Sequence, residues 1–275
     1  MVLVSSVRCP WIESNHTEES KTVAMAKSPD RKPLRVLVWQ ARAGRGVTAA
    51  DLERLDALRP DLIVLPEYFW VRPGDGGPAD VADHADEDLA TLAGLSGRID
   101  AIWVGGTIVE RAPDGRLHNS APVFDRGREA ARYRKRRLMP GEAAAGLMPG
   151  AEPGFVVVRG LRLGLLICAD VLDADSYAAL APFRPQVIAV PTHSPRRPVD
   201  PLDEKLARDA AYFEAGARST GAWVLKACTV GGVHGRAAQG RSLIVGPSGV
   251  VERVEPAGEQ EERWLTADLE IAARE

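Results

Sequence analysis

The sequence lacks most of the features that would identify a secreted or membrane-bound protein. Only 3 of its 275 residues are cysteines, Cys9, Cys168 and Cys228. An odd number of widely spaced cysteines argues against a disulfide framework and favours a reducing compartment. No apolar run approaches the roughly 20 residues that a helix needs to cross a bilayer, and residues 1–33 lack the pattern of a secretory signal. We therefore expect a cytoplasmic protein with no membrane partner.

An excess of charge of either sign is also missing. The chain has 35 Lys and Arg residues against 38 Asp and Glu residues, a net charge of -3. Nucleic-acid-binding domains usually carry a basic excess, and the basic stretch 132–137 is too local to supply one. The 5 histidines are scattered, which does not indicate a metal site. We expect no nucleic-acid partner.

The chain divides into a short polar segment and one long domain. Residues 1–33 are polar, mixed in charge and without periodicity, so we expect a flexible leader or partner-contacting arm, with Met25 as an alternative start to Met1. From 34 to 275, aliphatic runs alternate with helical patterns, which predicts a single α/β domain. The predicted helices are 51–58 and 86–95. The predicted strands are 36–40, 62–65, 101–109, 121–124, 156–158, 162–168, 186–190, 223–227, 242–245, 250–254 and 264–268.

A further helix is predicted from apolar spacing after residue 200. Asp203 is its candidate N-cap, because a short carboxylate can accept a hydrogen bond from the first turn. The apolar positions recur at helical intervals and predict a face that packs on the sheet. These positions are Leu206, Ala210, Phe213 and Ala217.

Three reactive side chains lie at or near the ends of predicted strands, where open α/β sheets place their sites. Glu67 follows the apolar run 62–66, and burial would raise its pKa toward the range of a general base; an exposed turn acid is the alternative. Cys168 ends the run 163–167 and could be a nucleophile, or a plain core thiol. Lys135 could stabilise a carbonyl oxyanion, although a basic run is usually a solvated surface.

Together these segments resemble the nitrilase-like carbon-nitrogen hydrolase superfamily over nearly all of residues 34–270. Residues 65–69 (LPEYF) resemble the family's glutamate segment. Its lysine segment is resembled by residues 133–135 (YRK), followed by Leu138, Glu142 and residues 149–150. Residues 164–170 (GLLICAD) resemble its cysteine segment. The order and spacing agree, with Lys135 lying 68 residues after Glu67 and 33 before Cys168. Residues 118–121 (HNSA), 240–242 and 247–249 resemble further landmarks of this superfamily.

The resemblance implies a four-layer αββα sandwich whose protomers pair through helices, hence a homodimer or larger homo-oligomer. It implies that Glu67 exchanges protons, that Cys168 attacks an amide carbonyl to form a thioester, and that Lys135 with the Ala169 backbone N–H holds the oxyanion. Glu142 would position substrate or catalytic groups. The expected partner is a small-molecule amide, with neither metal nor organic cofactor.

Three further residues are candidates for contact with substrate. Tyr68 lies beside the glutamate. His193 follows the strand 187–190 by a short turn, at the sheet end that should face the pocket. Arg197 presents a forked donor suited to a carboxylate, with a solvent-facing loop position as the alternative. Relatives that hydrolyse nitriles often carry Trp where this chain has Ala169, which favours amides.

Other interpretations stay open. Residues 44–49 (GRGVTA) fit a G-x-G-x-x-A dinucleotide turn after the first strand, with Glu67 lying 21 residues beyond Gly46, and would indicate an oxidoreductase. That interpretation leaves Lys135 and Cys168 without roles. The same catalytic residues would also serve nitrile hydrolysis or acyl transfer to an amine or alcohol. A catalytically silent relative would be a binding or scaffold protein.

Overall fold

A computed structural model describes residues 33–233 and 235–271. The predicted leader, 1–33, and the choice between Met1 and Met25 lie outside this range, apart from Pro33. The helices are α1 Ala49–Leu58, α2 Pro78–Asp83, α3 Ala85–Arg98, α4 Pro140–Ala144, α5 Ala174–Leu180, α6 Leu202–Asp209 and α7 Ala215–Thr220. Shorter helical turns of the 3₁₀ type are Cys168–Leu172, Ala181–Phe183 and Pro256–Gly258, and Ala210–Glu214 is π-helical.

The strands form two sheets that meet at one corner. They are β1 Leu34–Arg42, β2 Leu62–Val64, β3 Ile102–Val104, β4 Ile108–Arg111, β5 Leu117–Asp125, β6 Arg128–Arg134, β7 Gly154–Val158, β8 Leu161–Leu165, β9 Val187–Thr192, β10 Trp223–Val233, β11 Arg236–Ala238, β12 Leu243–Gly246, β13 Gly249–Arg253 and β14 Arg263–Leu269. The first sheet has the order β14, β1, β2, β3, β5, with β4 and β6 also on β5. The second has the order β13, β12, β10, β9, β8, β7.

The corner is made by two long strands. β10 pairs with β9 in the second sheet and then passes to β1 of the first, through Ala41 with Thr229 and Arg42 with Val230. Because β1, β2, β9 and β10 are parallel where they pair, their carboxyl ends lie at a common edge. Open α/β sheets build their sites at that edge.

Burial of both faces of each sheet produces four layers. Along β1, Val36 and Val38 face the second sheet, whereas Leu37 and Trp39 face the helices, as the two-residue period of a strand requires. The inner core joins the two sheets. The outer face of the first sheet packs on α1 and α3, and that of the second on α5 and α7. The predicted αββα sandwich is confirmed.

Most predicted strands match observed ones with shifted bounds, for example 223–227 against β10 Trp223–Val233, and two were wrong in a way that has a physical reason. Residues 101–109 form two strands, β3 and β4, because Gly106 adopts a φ of 70° between them. A Cβ at Gly106 would lie 2.4 Å from the Pro66 carbonyl oxygen, so the chain turns where only glycine fits. The predicted strand 162–168 ends at Leu165, since Cys168 already begins a helical turn.

The predicted helix 203–217 was only partly right. Pro201, rather than Asp203, occupies the N-cap of α6. Leu206 is 40% exposed, while Phe213 and Ala217 are buried, so the expected apolar face holds only for the second half. The intervening π-helical turn explains the difference, because its extra residue shifts the 3.6-residue period on which the prediction depended. Within the described part of the chain, no helix combines the length and hydropathy that crossing a membrane requires.

Candidate active site

The four residues predicted to be catalytic are brought to the carboxyl edge of the two sheets. Glu67 follows β2, Lys135 follows β6, Glu142 lies on α4, and Cys168 begins the turn after β8. The Lys135 ammonium lies 2.8 Å from an oxygen of Glu67 and 2.8 Å from each oxygen of Glu142. Chain segments that are far apart in sequence therefore meet around one lysine.

Glu67 is buried more completely than its sequence context required, with 1% of its surface exposed. Its Oε1 accepts hydrogen bonds from Lys135 Nζ at 2.8 Å and from Asn119 Nδ2 at 3.0 Å. Its Oε2 accepts the backbone N–H of His193 at 2.8 Å. Burial raises the pKa of Glu67 above its ordinary value, and the positive charge of Lys135 only partly opposes this. The alternative of an exposed turn acid was wrong.

Lys135 is equally buried, with 1% of its surface exposed, whereas Arg137 in the same basic run is exposed. The solvated-surface alternative was therefore wrong for Lys135. Burial acts to lower its pKa, but the charges of Glu67 and Glu142 outweigh burial and raise the pKa above its ordinary value. The side chain is thus held as a cation inside the protein, as a buried charge must be when it is paired.

Glu142 accepts five hydrogen bonds within the site. Its Oε1 receives Lys135 Nζ at 2.8 Å, the Tyr68 hydroxyl at 2.9 Å and Asn119 Nδ2 at 3.1 Å. Its Oε2 receives Lys135 Nζ at 2.8 Å and the backbone N–H of Met139, at the start of α4, at 2.8 Å. Burial alone would raise the pKa of Glu142, but Lys135 and these hydrogen bonds lower it.

Cys168 has a backbone conformation that is uncommon for a side chain of its kind, with a φ of 44°. The residue as a whole is partly exposed, and its Sγ atom donates to the carbonyl oxygen of His193 at 3.2 Å. Burial by the surrounding protein and the nearby charge of Glu67 raise the pKa of the thiol well above its ordinary value, while Lys135 opposes them. The resting cysteine is therefore a thiol, and it needs a base before it can attack.

Asp170 is a site-supporting residue to which the sequence interpretation gave no role. It is fully buried, and its carboxylate accepts the Tyr133 hydroxyl at 2.8 Å together with the backbone N–H groups of Ile167, Arg136 and Arg137. These bonds tie the turn that carries the cysteine to the segment that follows the lysine. Its place in the cysteine segment was the signal that could have found it.

Asn119, in β5, was noted only as a landmark, yet it contacts both acids of the site. Its Nδ2 donates to Oε1 of Glu67 and to Oε1 of Glu142. Its backbone carbonyl accepts the N–H of Lys135 at 2.8 Å, which continues the pairing of β5 with β6 beyond the end of β6. The sequence could not show that one amide would reach two acids located on separate segments.

The three substrate candidates are placed differently. Tyr68 packs its ring edge-on against the ring of His193, with centroids 5.5 Å apart, and its hydroxyl bonds to Glu142. His193 also reaches the site through its backbone, which contacts both Glu67 and Cys168. Arg197 is exposed on the loop after β9. Contact of these three residues with substrate stays a prediction.

Gly44, the first glycine of the dinucleotide-like segment 44–49, is needed for close packing of the backbone. Gly44 has a φ of 68°, its N–H donates to the Phe69 carbonyl at 2.8 Å, and a Cβ there would lie 2.4 Å from the Val71 carbonyl oxygen. At the start of α1, Thr48 and Asp51 cap each other. The glycine is therefore explained by packing against the segment after Glu67. Among residues 33–233 and 235–271, no group of three potential metal ligands occurs.

The sequence model of the family described as Carbon-nitrogen hydrolase matches residues 48–275. The chain belongs to the carbon-nitrogen hydrolase family. The match extends from the N-cap of α1 through all the site residues described above. The resemblance first inferred from three short segments is thereby confirmed, and with it the coarse class of the protein, an enzyme that acts on a carbon–nitrogen bond.

Named relatives of this carbon-nitrogen hydrolase include enzymes with different substrates. An (R)-stereoselective amidase from a Pseudomonas species is 34% identical over 158 residues, which is 54% of this chain and 56% of that protein. A glutamine-dependent NAD(+) synthetase from Xanthomonas campestris is 27% identical over 264 residues, 91% of this chain but 42% of that protein. The matches thus span about half the length of these relatives.

A solved structure extends the comparison to the fold. A variant of the Nesterenkonia AN1 amidase from the nitrilase superfamily has a TM-score of 0.68 to this chain at 23% identity, covering 88% of this chain and 92% of that one. Because identity is low, the similarity concerns the fold. It agrees with the four layers and with the nitrilase-like arrangement expected from the sequence.

Proposed function

We propose that the chain hydrolyses a small, non-peptide amide, releasing ammonia or an amine, through a thioester formed on Cys168. The observation that carries the proposal is the backbone of a single residue, His193. The His193 carbonyl accepts the Cys168 thiol, and the His193 N–H donates to Glu67, whose other oxygen contacts Lys135. A nucleophile, a buried base and a buried cation are thereby held together, which is the arrangement that covalent catalysis requires.

Proton transfer begins the proposed reaction. Glu67 accepts the thiol proton, and the Cys168 sulfur bonds to the amide carbonyl carbon. Burial raises the pKa of Glu67, which makes it a stronger base than an exposed carboxylate and favours its acceptance of the proton. When the carbon–nitrogen bond breaks, Glu67 returns the proton to the leaving amine. A water molecule then attacks the thioester and restores the free thiol.

Negative charge that develops on the carbonyl oxygen needs stabilisation at the same moment. Lys135 supplies a fixed positive charge, because its two carboxylate partners hold it protonated in a buried position. The backbone N–H of Ala169 is the second proposed donor, since the first N–H groups of a helical turn have no partner inside that turn. Glu142 holds the lysine and takes no proton in this scheme.

Amides are proposed ahead of nitriles because the chain has the small Ala169 directly after the nucleophile and because an amidase is among its named relatives. Acyl transfer would use the same thioester, with an amine or alcohol replacing water. The glutamine-dependent relative makes glutamine a necessary test substrate. Neither metal nor organic cofactor enters the proposed steps.

The direct test is ammonia release from a panel of aliphatic amides, aromatic amides, glutamine and the matching nitriles. The purified chain is compared with its Cys168→Ala variant, and hydroxylamine is added in parallel to detect acyl transfer. We expect ammonia from at least one amide, none from the variant, and hydroxamate only when hydroxylamine is present. Equal release by both proteins, or turnover of nitriles alone, would contradict the proposal.

Assembly and location are also proposed rather than observed. The homodimer or larger homo-oligomer implied by the resemblance can be tested by sedimentation velocity on the full chain. A monomer at micromolar concentration would contradict it. The cytoplasmic location is tested by fractionating cells that express a tagged full chain.

A further inference from the structure

Asn119 has an environment that an ordinary core amide does not require. It is fully buried, and its Nδ2 lies 3.0 Å from Glu67 Oε1 and 3.1 Å from Glu142 Oε1. Like Lys135, Asn119 donates from its side chain to both carboxylates. The Tyr68 hydroxyl bonds to Glu142, and the His193 N–H bonds to Glu67.

The orientation of the amide is set by its neighbours. Rotating the amide by half a turn would place Oδ1 against two carboxylate oxygens, an acceptor against acceptors, and both contacts would become repulsive. In the orientation present, Oδ1 is buried without a hydrogen-bond partner among the described residues. An unsatisfied buried acceptor is unfavourable, so the stability of the core does not explain an amide here. The contribution of the Asn119 side chain is therefore made by its donor, Nδ2, to the two carboxylates.

We propose that Asn119 is a positioning residue for the proton transfer, which fixes the carboxylates of Glu67 and Glu142 on either side of Lys135. The inference rests on the proposed role of Glu67 as the proton acceptor of Cys168. Asn119 itself touches neither the thiol nor a reacting atom in this account. It acts through Glu67, by holding Oε1 toward Lys135 and leaving Oε2 on the side of the His193 peptide.

The position of Asn119 in its strand supports this assignment. Its backbone carbonyl accepts the N–H of Lys135 at 2.8 Å, so the side chain and the lysine are held in register by the same strand pairing. The neighbouring Ser120 is also fully buried, but its hydroxyl donates to Glu110 at 3.0 Å, outside the site. Because successive residues of a strand point to opposite faces, Ser120 is a matched control for damage to β5.

The test is the pH dependence of Cys168 alkylation by iodoacetamide, which needs no substrate. Asn119→Asp keeps the shape but replaces the donor by an acceptor that can carry charge, and Asn119→Ala removes the donor without adding charge. Loss of a hydrogen bond to the ionised acid disfavours that ion, so the acid limb should move to higher pH in both variants. At a pH on that limb, the rate should fall by about 10- to 100-fold, the range of a charge-assisted hydrogen bond.

The controls decide between positioning and general damage. Ser120→Ala should leave the alkylation profile superimposed on that of the unaltered chain, and urea unfolding should confirm that all variants are folded. If both Asn119 variants also superimpose, or if Ser120→Ala shifts the profile equally, the proposal is overturned. Asn119→Ala keeps the test decisive if Asn119→Asp does not fold. Absence of amide turnover would count against the proposed function, while the alkylation profile would still report on Asn119.

Discussion

Glu67 and Glu142 contact the same ammonium at 2.8 Å, yet their proton affinities are displaced in opposite directions. Burial dominates at Glu67 and raises its pKa, whereas Lys135 and the hydrogen bonds from Met139 and Asn119 prevail over burial at Glu142 and lower its pKa. The difference lies in the surroundings, since the chemical group is identical. Pairs of acids whose environments separate their pKa values mark a division between proton transfer and fixed charge.

The surroundings suit Glu67 to proton transfer and Glu142 to holding Lys135. Oε2 of Glu67 accepts the N–H of His193, the residue whose carbonyl also binds the Cys168 thiol, and the raised pKa of Glu67 suits a group that accepts a proton. Both oxygens of Glu142 accept hydrogen bonds, and we expect this residue to hold the Lys135 ammonium in place. The donors are Lys135, Tyr68, Asn119 and Met139. Substitution at the two positions should therefore have different consequences.

The largest effect is expected from Glu67→Gln, which preserves shape and removes the base. The value of kcat/KM should fall by about 10²- to 10⁴-fold, the usual contribution of a positioned general base, mainly through kcat. Steady-state kinetics on the best amide of the panel measures this. A variant that retains half of the activity would show that another group takes the proton.

The helical turn Cys168–Leu172 contains a third buried acid, Asp170, whose contacts support the structure of the turn. Asp170→Ala would leave the buried Tyr133 hydroxyl, the buried Ile167 N–H and two partly buried backbone N–H groups without their acceptor. We expect a loss of about 2–4 kcal/mol in the free energy of unfolding, since unsatisfied buried donors are costly. Urea denaturation measures it. A stability within about 0.5 kcal/mol of the unaltered chain would contradict the assignment of Asp170 as the anchor of this turn.

Glu142→Gln should reduce kcat/KM by a smaller factor, about 10- to 100-fold, because Lys135 keeps Glu67 as a partner. The negative charge of Glu142 is one of the causes that raise the pKa of Glu67. Its removal should therefore move the acid limb of kcat/KM to lower pH, opposite to the shift expected for Asn119→Asp. A shift to higher pH would show that Glu142 does more than anchor the lysine.

The smallest effects concern stability as a function of pH. The pKa of Glu142 lies below its ordinary value of 4.5, so its stabilisation is present above that pH and is lost as the pH falls through the lowered pKa. The pKa of Glu67 lies above 4.5, so stability is lost as the pH rises from 4.5 toward the raised pKa. Glu142→Gln should flatten the first slope and Glu67→Gln the second.

Urea unfolding between about pH 3 and pH 8 measures both slopes, because the slope counts the protons bound on unfolding. The two variants serve as controls for each other, since each should leave the other's slope in place. Identical curves for the two variants would remove the distinction between the two acids.

The sequence was sufficient to predict which four candidate residues come together, but not the residues that surround them. Glu67 and Cys168 each follow an apolar run that becomes a buried strand, and the order of three motifs singled out Lys135 from its basic neighbours. The structure confirms the layers and brings these residues together. The predicted strand 162–168 was too long because an apolar pattern continues through Leu166 and Ile167 into the turn.

The remaining features depend on contacts between distant segments. Asn119 reaches Glu67 across 52 residues of sequence within the first sheet, and Asp170 reaches Tyr133 across 37 through the packing of one sheet on the other. No local pattern records such pairs. The π-helical turn before α7 likewise altered the exposure of Leu206, because local propensity does not specify an inserted helical residue.

The proposed mechanism requires that Cys168 forms a thioester while Glu67 accepts the thiol proton and returns it to the leaving amine. Its most direct test is intact-protein mass spectrometry of the chain, acid-quenched during turnover of the best amide, with peptide mapping and with Cys168→Ala as the control. We expect an added acyl mass on Cys168 alone and none on the variant. Full turnover by Cys168→Ala, or an acyl mass on another residue, would contradict it.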